Sequence, residues 1–244
     1  METVCGIHAV REALESGQRP IEHVHVQQGA RNPRLRELLE KCRERSIPLR
    51  FEPAAALDRL AQGGHHQGVV AVVGGARYAS LEDVLEKAPA GALLLVLDGV
   101  QDTHNLGALL RTACAAGVHA VIIPERRSAG LTPAVAQAAS GAAEHLPVVR
   151  VTNLAQTLET LKEHSFWIYG LDECGEKNYD AADYRGRTVL VAGGEAKGLH
   201  QLLQKKCDFL VRIPASGKIS TLNVSVAVGI VLFEAARQRR TSRT

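Results

Sequence analysis

Residues 213–234 read IPASGKISTLNVSVAVGIVLFE, and the way this run folds decides the architecture of the chain. Val224, Val226, Val228 and Ile230 alternate with smaller residues, a period-two pattern that suits a strand because β-branched side chains lose rotamer freedom in helices. Length argues the other way. From 223 to 238 the segment is longer than the roughly three to ten residues of an ordinary strand. It closes on EAARQRR, a helix-favouring end with cations where the helix dipole is negative. The spacing therefore predicts a helix with Asn223 near its cap. The polar turn SGKISTLN at 216–223 then lies at a helix mouth, where unpaired N–H donors and positive partial charge gather. An apolar helix fed by such a turn reads as a site anchored in a core.

Working back from that helix, short apolar runs alternate with helical segments: LLLVL (93–97), VHAVIIP (118–124), PVVRV (147–151), FWIYGL (166–171), TVLVAGG (188–194) and FLVRIP (209–214). Apolar strands separated by helices predict an α/β fold with a mainly parallel sheet covered on both faces. Ligands of such sheets sit beyond the carboxyl ends of strands, which singles out the loops after Leu97, Ala192 and Ile213. Before residue 74 the strands expected at 22–27, 48–52 and 68–73 alternate with a helix over 33–45, in which Leu35, Leu38, Leu39 and Cys42 recur at helical spacing. This is a smaller α/β domain, residues 1–74. Residues 75–91, rich in Gly, Ala, Pro and charge with one short helical pattern, read as a linker to a domain over 92–244.

Composition bounds the function. With 244 residues and 45% hydrophobic content, the chain holds one large or two small domains. No apolar run approaches the roughly 20 residues of a membrane span, and the N-terminus lacks a signal-peptide pattern, so a cytoplasmic location is expected. The five cysteines are scattered without a C-x-x-C pair, which points to neither a disulfide framework nor a zinc site. The net charge of +3 is weak, but its distribution is uneven. Arg31, Arg34, Arg36, Lys41, Arg43, Arg45 and Arg50 cluster early, and Arg237, Arg239, Arg240 and Arg243 crowd the tail. A solvated helix face with a basic end, or a nucleic-acid footprint, both fit. No metal is expected: the pair His65–His66 has no third ligand nearby.

The first loop, DGVQDTHNLGALLRTACAAGV (98–118), places Asn105 as a helix cap, Gly107 for close backbone approach and Arg111 farther along the opening turns. Two readings stay open: a capped crossover helix with Arg111 paired to Asp98 or Asp102, or a binding loop. The second, AGGEAKGL (192–199), is either a tight turn or a cradle for an adenosine-like ligand. A dinucleotide fingerprint is excluded, since no G-x-G-x-x-G follows a strand.

Taken in order, D-G-V-x-D-x-x-N-x-G-x-x-x-R, G-G-E-x-x-G-L and I-P-x-x-G-x-x-S-T-L-N-V-S-V-A resemble the SpoU branch of the SPOUT RNA methyltransferases over about residues 93–238. With GIHAVREAL near the start and HQGVVA closing the first domain, the layout is similar to enzymes of that branch that methylate the ribose 2′-oxygen of a 23S rRNA guanosine, in the loop contacting peptidyl-tRNA. The resemblance implies a trefoil-knotted domain that binds S-adenosylmethionine and works as a homodimer, preceded by an L30e-like RNA-binding domain. It also implies site residues: Asn105, Arg111, Glu195, Thr221 and Asn223 for the chemistry, and Gly193, Gly194, Ile213 and Leu222 for the cofactor. Thr221 stands where the family more often shows Ser; it keeps the hydroxyl, with Ser220 as backup. Other readings are methylation of a tRNA or another rRNA ribose, a non-catalytic RNA-binding protein, and a nucleotide-dependent oxidoreductase.

Overall fold

A computed structural model describes residues 2–16, 20–30, 32–74, 78–194, 198–217 and 221–241. The chain divides into two compact units, one of residues 1–77 and 131–145, the other of 78–130 and 146–244.

In the first unit β1 (Glu2–Cys5), β2 (Ile21–Gln27), β3 (Leu49–Glu52) and β4 (Val69–Val73) form a sheet ordered β1-β4-β2-β3. Its pairs with β4 are antiparallel, and β2 runs parallel to β3. Helices α1 (Ile7–Ser16), α2 (Pro33–Glu44) and α3 (Ala54–Ala61) complete its first stretch. The α1 and α2 faces carrying Val10, Leu14, Leu35, Leu38 and Cys42 share one core with Val24, Val26 and Ala71 of the sheet. Asn32 caps α2 by accepting from the Arg34 N–H, and Pro33 sits where a missing N–H costs nothing.

The second unit holds α4 (Leu81–Lys87), β5 (Leu93–Asp98), α5 (Thr103–Ala115) and β6 (Ala120–Pro124). The short α6 (Pro133–Ala138) lies in the segment that belongs to the first unit. Then come β7 (Val148–Val151), α7 (Leu154–Glu163), β8 (Trp167–Leu171), β9 (Lys177–Asn178), β10 (Thr188–Gly193), α8 (Gln201–Gln204), β11 (Phe209–Arg212) and α9 (Val224–Thr241). The sheet is ordered β7-β6-β5-β10-β8-β11-β9, and every pair is parallel. Its central strands are buried on both faces, which is why they read as unbroken apolar runs.

The fold matches the α/β reading and differs from it in two details. Leu81–Lys87, read as part of a linker, is a Ser80-capped helix whose Val84 and Leu85 join the core of the second unit. Residues 131–145, read within the C-terminal domain, pack with the first unit, where His145 pairs with Glu12. Residues 224–241 are helical despite their valines, because α9 buries Val228, Val231, Leu232 and Ala235 and packs on α5. Burial outweighs the few tenths of a kcal/mol per residue that β-branching costs a helix.

The far end of α9 is stapled to the segment before β10. The Arg239 guanidinium donates to the carbonyls of Tyr184 (2.6 and 2.8 Å), Gly91 (2.7 Å) and Gly186 (3.0 Å). Burial pulls its pKa down to about 10, so it stays charged at neutral pH. Arg239→Met keeps the aliphatic stem and orphans these carbonyls. Urea unfolding should show a loss of about 2–3 kcal/mol, and a loss below about 0.5 kcal/mol would refute the staple.

Candidate active site

The carboxyl ends of β8, β10 and β11 converge with the start of α9 around a cavity of about 770 Å³. Gly193, Gly194, Ile213, Thr221, Leu222 and Asn223 line it, together with Leu171, Asp172, Glu173, Cys174, Gln204 and Ala227.

Two glycines make the floor possible. A Cβ on Gly193 would lie 1.9 Å from the Gly198 carbonyl carbon, and one on Gly194 would lie 2.3 Å from the Gly99 oxygen. Main chain therefore touches main chain, and any side chain at either position forces the loops apart. The Gly194 N–H donates to the Asp98 carbonyl (2.7 Å), and the Gly198 N–H to the Gly194 carbonyl (3.1 Å). The buried Asp98 side chain ties the far end of this loop by accepting from the His200 N–H (3.1 Å) and ring Nδ1 (2.6 Å). Asp98 is thereby engaged by His200 through two hydrogen bonds.

Asn223 caps α9: its Oδ1 accepts from the Ser225 N–H (2.9 Å) and hydroxyl (2.6 Å). Its Nδ2 donates to Asn105 Oδ1 (3.0 Å), joining α9 to the first turn of α5. Residues 118 apart in sequence thus meet at the cavity rim. Asn105 is not the cap of its own helix. Asp102 holds that position, accepting from the Asn105 N–H (2.8 Å), because α5 starts at Thr103 and places Asn105 inside the first turn. Arg111 projects from α5 as an exposed side chain and does not line the cavity. Glu195 and Ser220 lie outside the described residues.

The sequence reading missed Asp172, whose Oδ1 accepts from the Cys174 N–H (2.9 Å) and whose Oδ2 accepts from Gln204 Nε2 (2.8 Å). The signal was present: strand 166–171 ends one residue before it, and the rule that picked the other loops applies equally there. Cys207 lies behind this corner, its thiol pushed up to about 12 by burial and then by Asp208, so it is an inert core residue. His66 is engaged structurally, with Nε2 at 3.0 Å from Asp58 and Nδ1 accepting from the Gly68 N–H.

The donor set suits a cationic, nucleoside-bearing ligand. Leu171, Ile213 and Leu222 offer apolar cover, the glycine loops offer main-chain groups, and Asp172 and Glu173 offer carboxylates. A cavity of this size lies within the usual range for cofactor-sized molecules.

Residues 92–233 match the SpoU rRNA Methylase family, and residues 3–79 match the RNA 2'-O ribose methyltransferase substrate binding family. The chain is 47% identical to the 23S rRNA (guanosine-2'-O-)-methyltransferase RlmB of Xylella fastidiosa, across 97% of this chain and 96% of that protein. It is 45% identical to the enzyme of the same name from Pseudomonas aeruginosa, across 98% and 97%. Among solved structures, the SpoU methyltransferase AviRb of Streptomyces viridochromogenes in complex with AdoMet is 26% identical, with a TM-score of 0.84 over 98% of this chain and 90% of that one.

If the touching glycine loops build the cavity, Gly194→Ala should weaken S-adenosylmethionine binding at least tenfold, read by calorimetry on a variant whose circular dichroism is unchanged. An unaltered Kd would show that the loop contact does not shape the pocket.

Proposed function

The chain belongs to the SpoU rRNA methylase family, and we propose that it uses S-adenosylmethionine to methylate the ribose 2′-oxygen of one guanosine in 23S rRNA, in the loop that contacts peptidyl-tRNA. What supports this reading is a chain similar over its full length to enzymes named for that reaction, in which the second and third motif loops line one cavity and Asn105 of the first is bonded to Asn223 beside it. The cytoplasm, where ribosomal RNA is modified, is the proposed place of work.

When bound, S-adenosylmethionine supplies a methyl group activated by its sulfonium. The chain's residues then have three tasks: to cover the cofactor, to orient the ribose and to manage the hydroxyl proton. Gly193 and Gly194 would hold the cofactor through main-chain groups, and Ile213 and Leu222 would cover it. The Asn105–Asn223 pair fixes the rim, since both ends of the Asn223 amide are engaged and its rotamer is set. The Thr221 hydroxyl lines the same cavity and suits a hydrogen bond to ligand or ribose.

A ribose hydroxyl is a weak nucleophile at neutral pH, and a placed base contributes about a hundred- to ten-thousandfold. A guanidinium almost never gives up its proton, so Arg111 grips the target phosphate and steadies developing alkoxide charge. Glu195, which follows Gly194 in the chain, is the carboxylate that takes the proton, or else the group that orients Arg111.

The second unit works as a homodimer in this reading. Along α9, Val226 (51% exposed), Ile230 and Phe233 (50% exposed) form one stripe at i, i+4, i+7, an apolar face that a second copy would cover. The trefoil knot that the family resemblance implies is part of this proposal; the place of β10 between β5 and β8 and the packing of α9 on α5 are compatible with it.

Incubation with labelled S-adenosylmethionine and unmodified 23S rRNA should place one methyl on one guanosine ribose, seen as a single alkali-resistant linkage. Arg111→Ala should lower the rate about a hundredfold or more while sedimentation still reports a dimer. Label in a base, transfer only to tRNA, or a full rate from Arg111→Ala would each contradict the assignment it addresses.

A further inference from the structure

The corner of the cavity at the end of β8 is held by hydrogen bonds that leave its side chains with acceptors to offer. Asp172 is fixed from three sides. Its N–H donates to the Val211 carbonyl (3.0 Å), its Oδ1 accepts from the Cys174 N–H (2.9 Å), and its carbonyl accepts from the Gly175 N–H (3.1 Å). Gly175 locks the turn, because a Cβ there would lie 2.6 Å from the Val211 carbonyl carbon. The orientation of the carboxylate is therefore set before a ligand arrives, which lowers the ordering cost of binding.

Gln204 completes the corner. Its Nε2 donates to Asp172 Oδ2 (2.8 Å) and to the Leu199 carbonyl (3.0 Å), so both N–H bonds of the amide are used. The reverse orientation would set the amide oxygen against two acceptors, so the chemistry fixes which end points where. What Gln204 has left is its Oε1. A carboxylate offers about four acceptor sites, of which the Cys174 N–H and the Gln204 amide take one each, so Asp172 keeps lone pairs for a ligand. Both residues line the cavity. Such a pair repels phosphates and carboxylates and calls for a donor.

The cofactor proposed for this cavity carries two kinds of donor, sugar hydroxyls and an ammonium. Position decides between them. Asp172 follows Leu171 directly, and its N–H is bonded to Val211, two residues before Ile213. Leu171 and Ile213 are apolar cover, which suits the flat base. The sugar is joined to the base by one bond, whereas the ammonium lies beyond the whole methionine chain. From this we infer that the Asp172 carboxylate accepts from the ribose 2′ and 3′ hydroxyls of the cofactor, with Gln204 as its positioning residue. This rests on the reading of the cavity as the S-adenosylmethionine site and adds the side chain that recognises the sugar. Two vicinal O–H groups match the oxygens of a carboxylate, and bonds to an ionised acceptor are about twice as strong as neutral ones.

The test is calorimetry on the full-length chain with S-adenosylhomocysteine, with 5′-methylthioadenosine, which lacks the amino-acid part, and with 5′-methylthio-2′,3′-dideoxyadenosine, which also lacks the two hydroxyls. Asp172→Asn keeps an oxygen for the Cys174 N–H and should weaken the first two ligands about tenfold each, while the dideoxy compound binds variant and wild type alike. Gln204→Met should give a smaller loss, about threefold, with the same dependence on the hydroxyls. Glu176→Gln removes an exposed carboxylate from the same loop and should change no affinity. In turnover, Asp172→Asn should raise KM for S-adenosylmethionine about tenfold with kcat nearly unchanged. An equal loss for the dideoxy compound would make Asp172 a part of the wall only and overturn the assignment. A loss confined to S-adenosylhomocysteine would place the ammonium at the carboxylate and overturn it too, as would unchanged affinity for every ligand. Should the wild type bind none of these adenosyl compounds, the proposed function fails and takes this assignment with it.

Discussion

The second unit depends on a contact between main chains. At the end of β10, Gly193 and Gly194 run so close to Gly198 and Gly99 that no Cβ fits at either position. That contact brings the ends of β5 and β10 and the loop after them into one surface, and the Asp98 carboxylate pins the loop at His200. Asn223 then ties the start of α9 to α5 through Asn105. The cavity proposed for the cofactor opens beside these bonds.

Such a design explains where the sequence was readable. Strands β5, β6 and β10 appear as apolar runs because both of their faces are buried, and the runs of β7, β8 and β11 stand out between helical segments. Helix α9 was legible against its own propensity because sixteen valine-rich residues exceed a strand and end in helix-favouring charge. The glycines of 192–199 and the polar turn before Asn223 were legible as loops, and their joint meaning came from their order in a family pattern.

What stayed hidden is long-range. Nothing local in TVLVAG states that β10 lies between β5 and β8, because strand order depends on pairings some twenty to a hundred residues apart. The edge strand β9 has only two residues, and β1 only four, too few for a period to show. The segment 131–145 packs with the first unit through contacts such as Glu12–His145, separated by 133 positions, which no linear reading of domains anticipates. The Asn105 cap was misassigned for a smaller reason: Asp102 and Asn105 are both good caps, and the choice depends on where the chain leaves β5. Asp172 follows the strand at 166–171 and falls under the same strand-end rule as the other loops.

The central claim is that the loops at the ends of β8, β10 and β11, with the Gly194–Gly99 contact behind them, form the proposed cofactor pocket. Hydrogen–deuterium exchange of the chain with and without S-adenosylhomocysteine, the demethylated cofactor, tests it directly. Slowed exchange confined to amides of 98–102, 171–175, 192–200 and 213–225 is the predicted result. Protection centred elsewhere, or an unchanged exchange map at saturating ligand, would contradict the account.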